Sequence, residues 1–164
     1  MLKALKRIFA GDSDTATPHG YELRHLELAV ASLLHESTRV DLKELPEEYA
    51  AARRALTDLF GVSDNESAAL LEEGARRARQ LTSYYGPVSA IKREFDLPRR
   101  ILLIEHLWHI AYADGKLDPY EDHYVRKIAH LLYVPNTECM LARGRAAKAR
   151  ASFQSPVSGA GIAR

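Results

Sequence analysis

The sequence predicts an all-α fold, a single-domain bundle of about seven helices in two pseudo-symmetric halves. Three observations lead there. Apolar residues recur at three- and four-residue spacing along most of the chain, and no stretch sustains the alternation of a half-buried strand. Helix start and stop signals punctuate that pattern, among them Pro46-Glu47-Glu48, Gly61, Ser63-Asp64-Asn65-Glu66, Gly115 and Asp118-Pro119-Tyr120-Glu121. The chain also repeats itself at a spacing of about 73 residues.

Residues 1–10 mix bases with apolar side chains but lack the long apolar centre and small-residue cleavage site of a signal peptide. They read as a short amphipathic helix that frays or packs on its own domain, with peripheral contact at the inner membrane face as the alternative. Gly11 to Gly20 is polar and reads as a linker. The helical domain is expected over 21–151, opening with a helix from about Tyr21 to Thr38 that turns Leu23, Leu26, Ala29, Val30, Leu33 and Leu34 inward. Asp41 to Pro46 breaks the pattern, and Pro46 restarts a helix carrying Tyr49, Ala52, Leu56, Leu59 and Phe60, which Gly61 ends.

Ser63 to Glu66 is a capping box, and the helix it opens is expected to run to about Tyr85, where Gly86-Pro87 ends it. A short helix with Val88, Ile91 and Phe95 leads through Asp96-Leu97-Pro98 into a segment that is apolar from Ile101 to Ala113. Gly115 suits the position after a helix end, where a left-handed backbone costs least. Asp118 then serves as N-cap, Pro119 fills the first turn, and Tyr120, Tyr124, Val125, Ile128, Leu131 and Leu132 carry the pattern onward. Tyr133-Val134-Pro135 is a turn. A last helix, alanine-rich and basic, is expected from about Asn136 to Ala151, followed by a loose tail over 152–164.

The repeat is read by aligning the two acidic bends. Asp41 falls on Asp114 and Glu48 on Glu121 at one offset, 73 (114 less 41, 121 less 48). Phe60-Gly61-Val62-Ser63 falls on Leu132-Tyr133-Val134-Pro135 at 72, so a single gap reconciles them. Leu42 and Leu45 stand where the second copy has Gly115 and Asp118. If both bends lie at one end of the bundle, their carboxylates pool.

Composition limits what such a bundle can do. With 164 residues and 46% hydrophobic content there is one core. A net charge of +1 recruits neither nucleic acid nor membrane through a global field. The single cysteine, Cys139, excludes internal disulfides and cysteine-rich zinc sites, fits a reducing compartment, and reads as a buried small apolar side chain. The best apolar run, Leu26 to Leu34, is short and interrupted by Glu27 and Ser32, against the roughly 20 residues a bilayer requires. A cytoplasmic location is expected.

Trp108-His109-Ile110-Ala111-Tyr112-Ala113-Asp114-Gly115-Lys116-Leu117-Asp118-Pro119-Tyr120-Glu121, followed by Arg126-Lys127-Ile128-Ala129, resembles the second acidic motif of the tellurite-resistance protein B (TerB) family. A weaker similarity extends from about Leu26 to Leu141. The resemblance implies an all-helical domain of two related halves whose acidic turns have been linked to divalent metal, calcium in particular. Asp114, Asp118 and Glu121 match its acidic positions in the second half, and Asp41 and Glu48 in the first. Leu42 and Leu45 depart from the pattern, with Glu44 as a substitute by position. A related module in a membrane-anchored DnaJ-like co-chaperone implies a second, metal-free use as a protein-interaction domain.

The residues themselves allow both. A hard divalent cation takes several oxygens at about 2.0 to 2.6 Å, which Asp114, Asp118, Glu121 and Asp122 could supply, with Asp41, Glu44 and Glu48 if the bends meet. The plainer reading is that Asp118 and Glu121 cap a helix, worth roughly 0.5 to 2 kcal/mol without metal. The spacing does not match an EF-hand. His106, His109, His123 and His130 suggest a zinc site, set against ordinary histidines in an apolar setting. Glu22-Leu23-Arg24-His25 is a single Glu-x-x-His where a di-iron bundle needs two.

No nucleophile elbow or phosphate loop is present, so catalysis is expected to be absent; a hydrolase using the carboxylate cluster is the remaining enzymatic alternative. Arg143, Arg145, Lys148 and Arg150 read as a solvated face rather than a nucleic-acid surface. Trp108, Tyr112, Tyr120 and Tyr124 read as core, or, where exposed, as a surface for a protein partner. One cysteine is poor equipment for reducing tellurite.

Overall fold

The computed structural model of the chain describes residues 18–39 and 45–154, and among these all regular structure is helical. The helices are α1 (Pro18–Ser37), α2 (Pro46–Phe60), α3 (Asp64–Ala78), α4 (Tyr85–Glu94), α5 (Leu97–Ala111), α6 (Pro119–Leu131) and α7 (Asn136–Gln154). The proposed amphipathic helix at 1–10, most of the linker, Asp41, Glu44 and the tail from residue 155 lie outside the described residues.

Local chemistry places most of the boundaries. Ser63 Oγ accepts from the Glu66 N–H while the Ser63 N–H donates to Glu66 Oε2, the reciprocal pair that opens α3. Asp96 Oδ1 accepts from the Arg99 N–H at the head of α5, and Asp118 caps α6. Pro46 and Pro119 both stand at the first helical position, where the missing N–H would have had no partner anyway. Three boundaries depart from expectation: α1 begins at Pro18, inside the expected linker, α7 runs to Gln154, inside the expected tail, and the third lies between α3 and α4. Gly86-Pro87 does not end a helix but lies inside the first turn of α4, and α3 stops seven residues short of Tyr85. The physical reason is the same as at Pro46: a proline in a first turn forfeits no helical hydrogen bond.

The repeat is present in three dimensions. Within the first half α1 packs on α3 and α2; within the second, α5 packs on α7 and α6, with α4 bridging the halves against α1. Equivalent positions behave alike. Gly61 ends α2 at φ 68° and Tyr133 follows α6 at φ 55°, while the next residues, Val62 and Val134, are both buried. Tyr133 is the one non-glycine residue of positive φ among those described, and its ring lies 4.3 Å from the Lys92 ammonium.

Across the halves α2 packs along α5, and the Tyr124 hydroxyl on α6 donates to the Leu33 carbonyl on α1 at 2.8 Å. The core runs continuously through Leu33, Leu34, Leu56, Leu70, Ile91, Leu103, Leu107, Trp108 and Ile128. Trp108 is fully buried, its indole N–H satisfied by the Cys139 carbonyl at 3.1 Å, and Cys139 itself is buried. Four residues expected to face inward do not: Leu23, Tyr49, Leu102 and Tyr120 are exposed, Tyr120 at 71%. Leu23 and Leu102 lie in helices whose buried arc is already filled by neighbours. Tyr49 and Tyr120 occupy first turns, where fewer elements are available to cover them.

Candidate functional site

The second bend holds its carboxylates by local hydrogen bonds. Gly115 adopts φ 88°, the left-handed turn its lack of a Cβ permits, and Asp114 Oδ1 accepts from the Lys116 N–H at 2.9 Å. Asp118 Oδ1 accepts from the Tyr120 N–H at 2.7 Å, and Glu121 Oε2 accepts from the Asp118 N–H at 3.0 Å. Asp122 is turned sideways: its Oδ2 meets Arg126 Nε at 2.7 Å and its Oδ1 lies 3.4 Å from Arg143 of α7. It therefore serves to tie α6 to α7 rather than to join a pool of donors.

The first bend is bordered by Thr38 and Arg39 on one side and Leu45 on the other. Leu45 sits at the N-cap of α2 without a side-chain cap, in keeping with its apolar character. Glu48 occupies the third position of α2 as Glu121 does in α6, and both are buried, at 1% and 4% exposure. The 73-residue offset indicated the matching positions of these two carboxylates, whereas their burial departs from the exposed acidic turn that the spacing suggests.

The start of α2 and the end of α5 lie side by side. A cavity of about 270 Å³ is lined by Glu47, Ala50 and Ala51 at the start of α2 and by Tyr112 and Ala113 at the end of α5. On the other side, the Tyr124–Leu33 hydrogen bond draws the first half of α6 toward the last turns of α1. The start of α2 and the end of α5 thus border one cavity, and α6 is tied to α1. Yet among the described residues no three of His, Cys, Asp and Glu form a group able to hold a metal ion. The described donors, Asp114, Asp118, Glu121 and Glu48, are all oxygen ligands suited to a hard cation, but they do not by themselves assemble a full set.

The histidines do not converge either. His106 is buried on α5 with Nε2 3.5 Å from Asp58 Oδ2 of α2, and burial pushes its pKa below the usual imidazole value, with Asp58 pulling the other way. His109, one turn on, is held down by burial as well, opposed by Glu105 at 3.9 Å. His123 and His130 are exposed on α6, and the Glu22 and His25 of the Glu-x-x-His are exposed on α1. The basic residues of α7 are partly occupied: Arg145 Nε meets Glu105 at 2.7 Å and Arg143 meets Asp122. Sequence reasoning passed over Arg54, which lines the 270 Å³ cavity together with His109 and Arg150. Those side chains come from three helices, so no spacing along the chain announces them.

The family model described as tellurite resistance protein TerB matches residues 27–144. Neither the search of curated proteins nor that of solved structures returned a match. The matched span covers both bends, from the buried part of α1 to the middle of α7.

Proposed function

The chain belongs to the tellurite resistance protein TerB family, and from that premise we propose a non-enzymatic helical domain that binds a divalent cation shared by its two acidic bends. Calcium is the cation its oxygen-only donors suit best. The bound ion fastens the two bends together and so fixes a surface on which a protein partner docks during tellurite or related stress. No enzymatic step is assigned to the carboxylates.

One observation carries this reading. Glu48 and Glu121 are buried at equivalent first-turn positions of α2 and α6. Burial concentrates their negative charge at positions where Glu121 already accepts from the Asp118 N–H, and a cation would share the oxygens that remain. Asp114 and Asp118, in the bend that leads into α6, have oxygens left over from their backbone hydrogen bonds. Two to four carboxylates completed by water give weak to moderate affinity.

A second reading, a metal-free docking domain of the co-chaperone type, is favoured by Asp122, whose two oxygens go to arginines, and by the absence of a three-donor group among the described residues. Thermal melting in EDTA and in calcium separates the two. The cation reading predicts a calcium-dependent rise in Tm for the natural chain that disappears in the Asp114→Asn, Asp118→Asn variant, because a ligand stabilises only the state that binds it. An identical Tm in EDTA and in saturating calcium leaves the metal-free domain.

A further inference from the structure

The cavity between α2, α5 and α7 is a different kind of site from the acidic bends it adjoins. Arg54 comes from α2, His109, Tyr112 and Ala113 from the end of α5, and Arg150 and Phe153 from α7. The other arginines of α2 and α7 whose ion pairs are described meet carboxylates, Arg53 with Asp64, Arg143 with Asp122 and Arg145 with Glu105, while Arg99 and Arg100 of α5 donate to backbone carbonyls. Among the described residues Arg54 and Arg150 have no such ion pair, and the Arg150 Nε is buried without a hydrogen-bond partner. A buried donor of this kind costs free energy until something accepts from it.

We propose that this cavity binds a small carboxylic acid with an apolar body, its carboxylate held between the Arg54 and Arg150 guanidinium groups and its body lying between Tyr112 and Phe153. Guanidinium geometry suits a planar carboxylate, to which it donates in pairs. The charge of the lining selects the ligand's charge: two arginines against the single Glu47, with His109 neutral because burial depresses its pKa, leave one positive charge in excess. A monoanion balances that, and a phosphate dianion does not. Ala50, Ala51, Ala113 and Ala149 give the walls an apolar, shallow relief, and the Phe153 ring is 83% exposed with nothing described to cover it. At about 270 Å³ the space fits a single aromatic ring with its acid group.

The test uses the full chain in EDTA, so that its outcome does not depend on the cation. Benzoate, benzamide and inorganic phosphate are titrated separately while the Arg side-chain Nε–H, His109 and amide resonances are followed by NMR. Benzoate is expected to give saturable shifts at Arg54, His109, Tyr112 and Arg150. The isosteric neutral benzamide and inorganic phosphate are each expected to bind at least about tenfold more weakly, the worth of one charge-assisted hydrogen bond. Arg54→Gln and Arg150→Gln should each weaken benzoate by a similar factor while the exposed Lys148→Gln does not, and unchanged Tm values show that the variants are folded. Equal binding of benzoate and benzamide, a preference for phosphate, benzoate binding untouched by both arginine variants, or no saturable shift at all would each overturn the proposal.

Discussion

At the scale of single residues, two glycines in helix interiors have opposite roles. A Cβ on Gly74 of α3 would come within 2.8 Å of the Ala31 backbone carbon and 2.9 Å of the Ser32 nitrogen, so α1 and α3 touch main chain to main chain there. Gly74→Ala is expected to lower stability by about 1–3 kcal/mol, because neither backbone can retreat from a packed crossing. Gly144 of α7 has nothing within 4 Å of its virtual Cβ, and Gly144→Ala should raise stability by about 0.5–1 kcal/mol through helix propensity alone. Urea melts of the two variants check both signs.

His106 supplies a pH dependence at the same scale. Burial holds its folded pKa below the ordinary value near 6.5, with Asp58 and Glu105 acting to raise it and His109 and Arg54 to lower it further. The unfolded chain therefore takes up protons first as pH falls. Stability associated with neutral His106 is fully present above about pH 6.5 and is lost as pH falls below it toward the folded pKa. The slope of unfolding free energy against pH between 7 and 5 should be shallower in His106→Gln than in the natural chain; an equal slope assigns the dependence elsewhere, His109 being the nearest candidate.

At the scale of elements, Asp118 allows capping and cation binding to be told apart. Aspartate and asparagine cap helices about equally well, whereas alanine costs roughly 1 kcal/mol. Asp118→Asn should leave the Tm in EDTA nearly unchanged and Asp118→Ala should lower it, while both should weaken calcium binding. A calcium affinity that survives Asp118→Asn would remove this side chain from the ligands. The elements most legible in the sequence were those with a cap or a proline at their start: α2, α3, α5 and α6 begin within a residue or so of Pro46, Asp64, Leu97 and Pro119. The α3–α4 boundary was illegible because Gly86-Pro87 carries two meanings, terminator and first turn, and only tertiary packing of Pro87 and Val88 against the core decides between them. Tyr120 fits the helical apolar stripe by spacing but projects into solvent from a first turn, where periodicity says nothing about whether a neighbour exists to cover it.

At the scale of the whole molecule, a doubled helical arrangement brings the start of α2 beside the end of α5 around one cavity. The internal offset of Glu48 to Glu121 indicated their equivalent first-turn positions, while Asp41 lies outside the described residues. Side-chain direction was not legible. Asp122 belongs to the same acidic run as Glu121, yet its oxygens go to Arg126 and to Arg143 on the next helix, a partner no local pattern names. The cavity residues Arg54, His109 and Arg150 were equally hidden, being assembled from three helices.

The claim that the two bends form one cation site is tested most directly by calcium titration of the isotopically labelled chain followed through backbone amide resonances. Saturable shifts from both bends together, Leu45 to Glu48 and Ala113 to Asp122, with one common dissociation constant, are the expected result. Shifts that fail to saturate, or that appear only at scattered surface carboxylates, would contradict it.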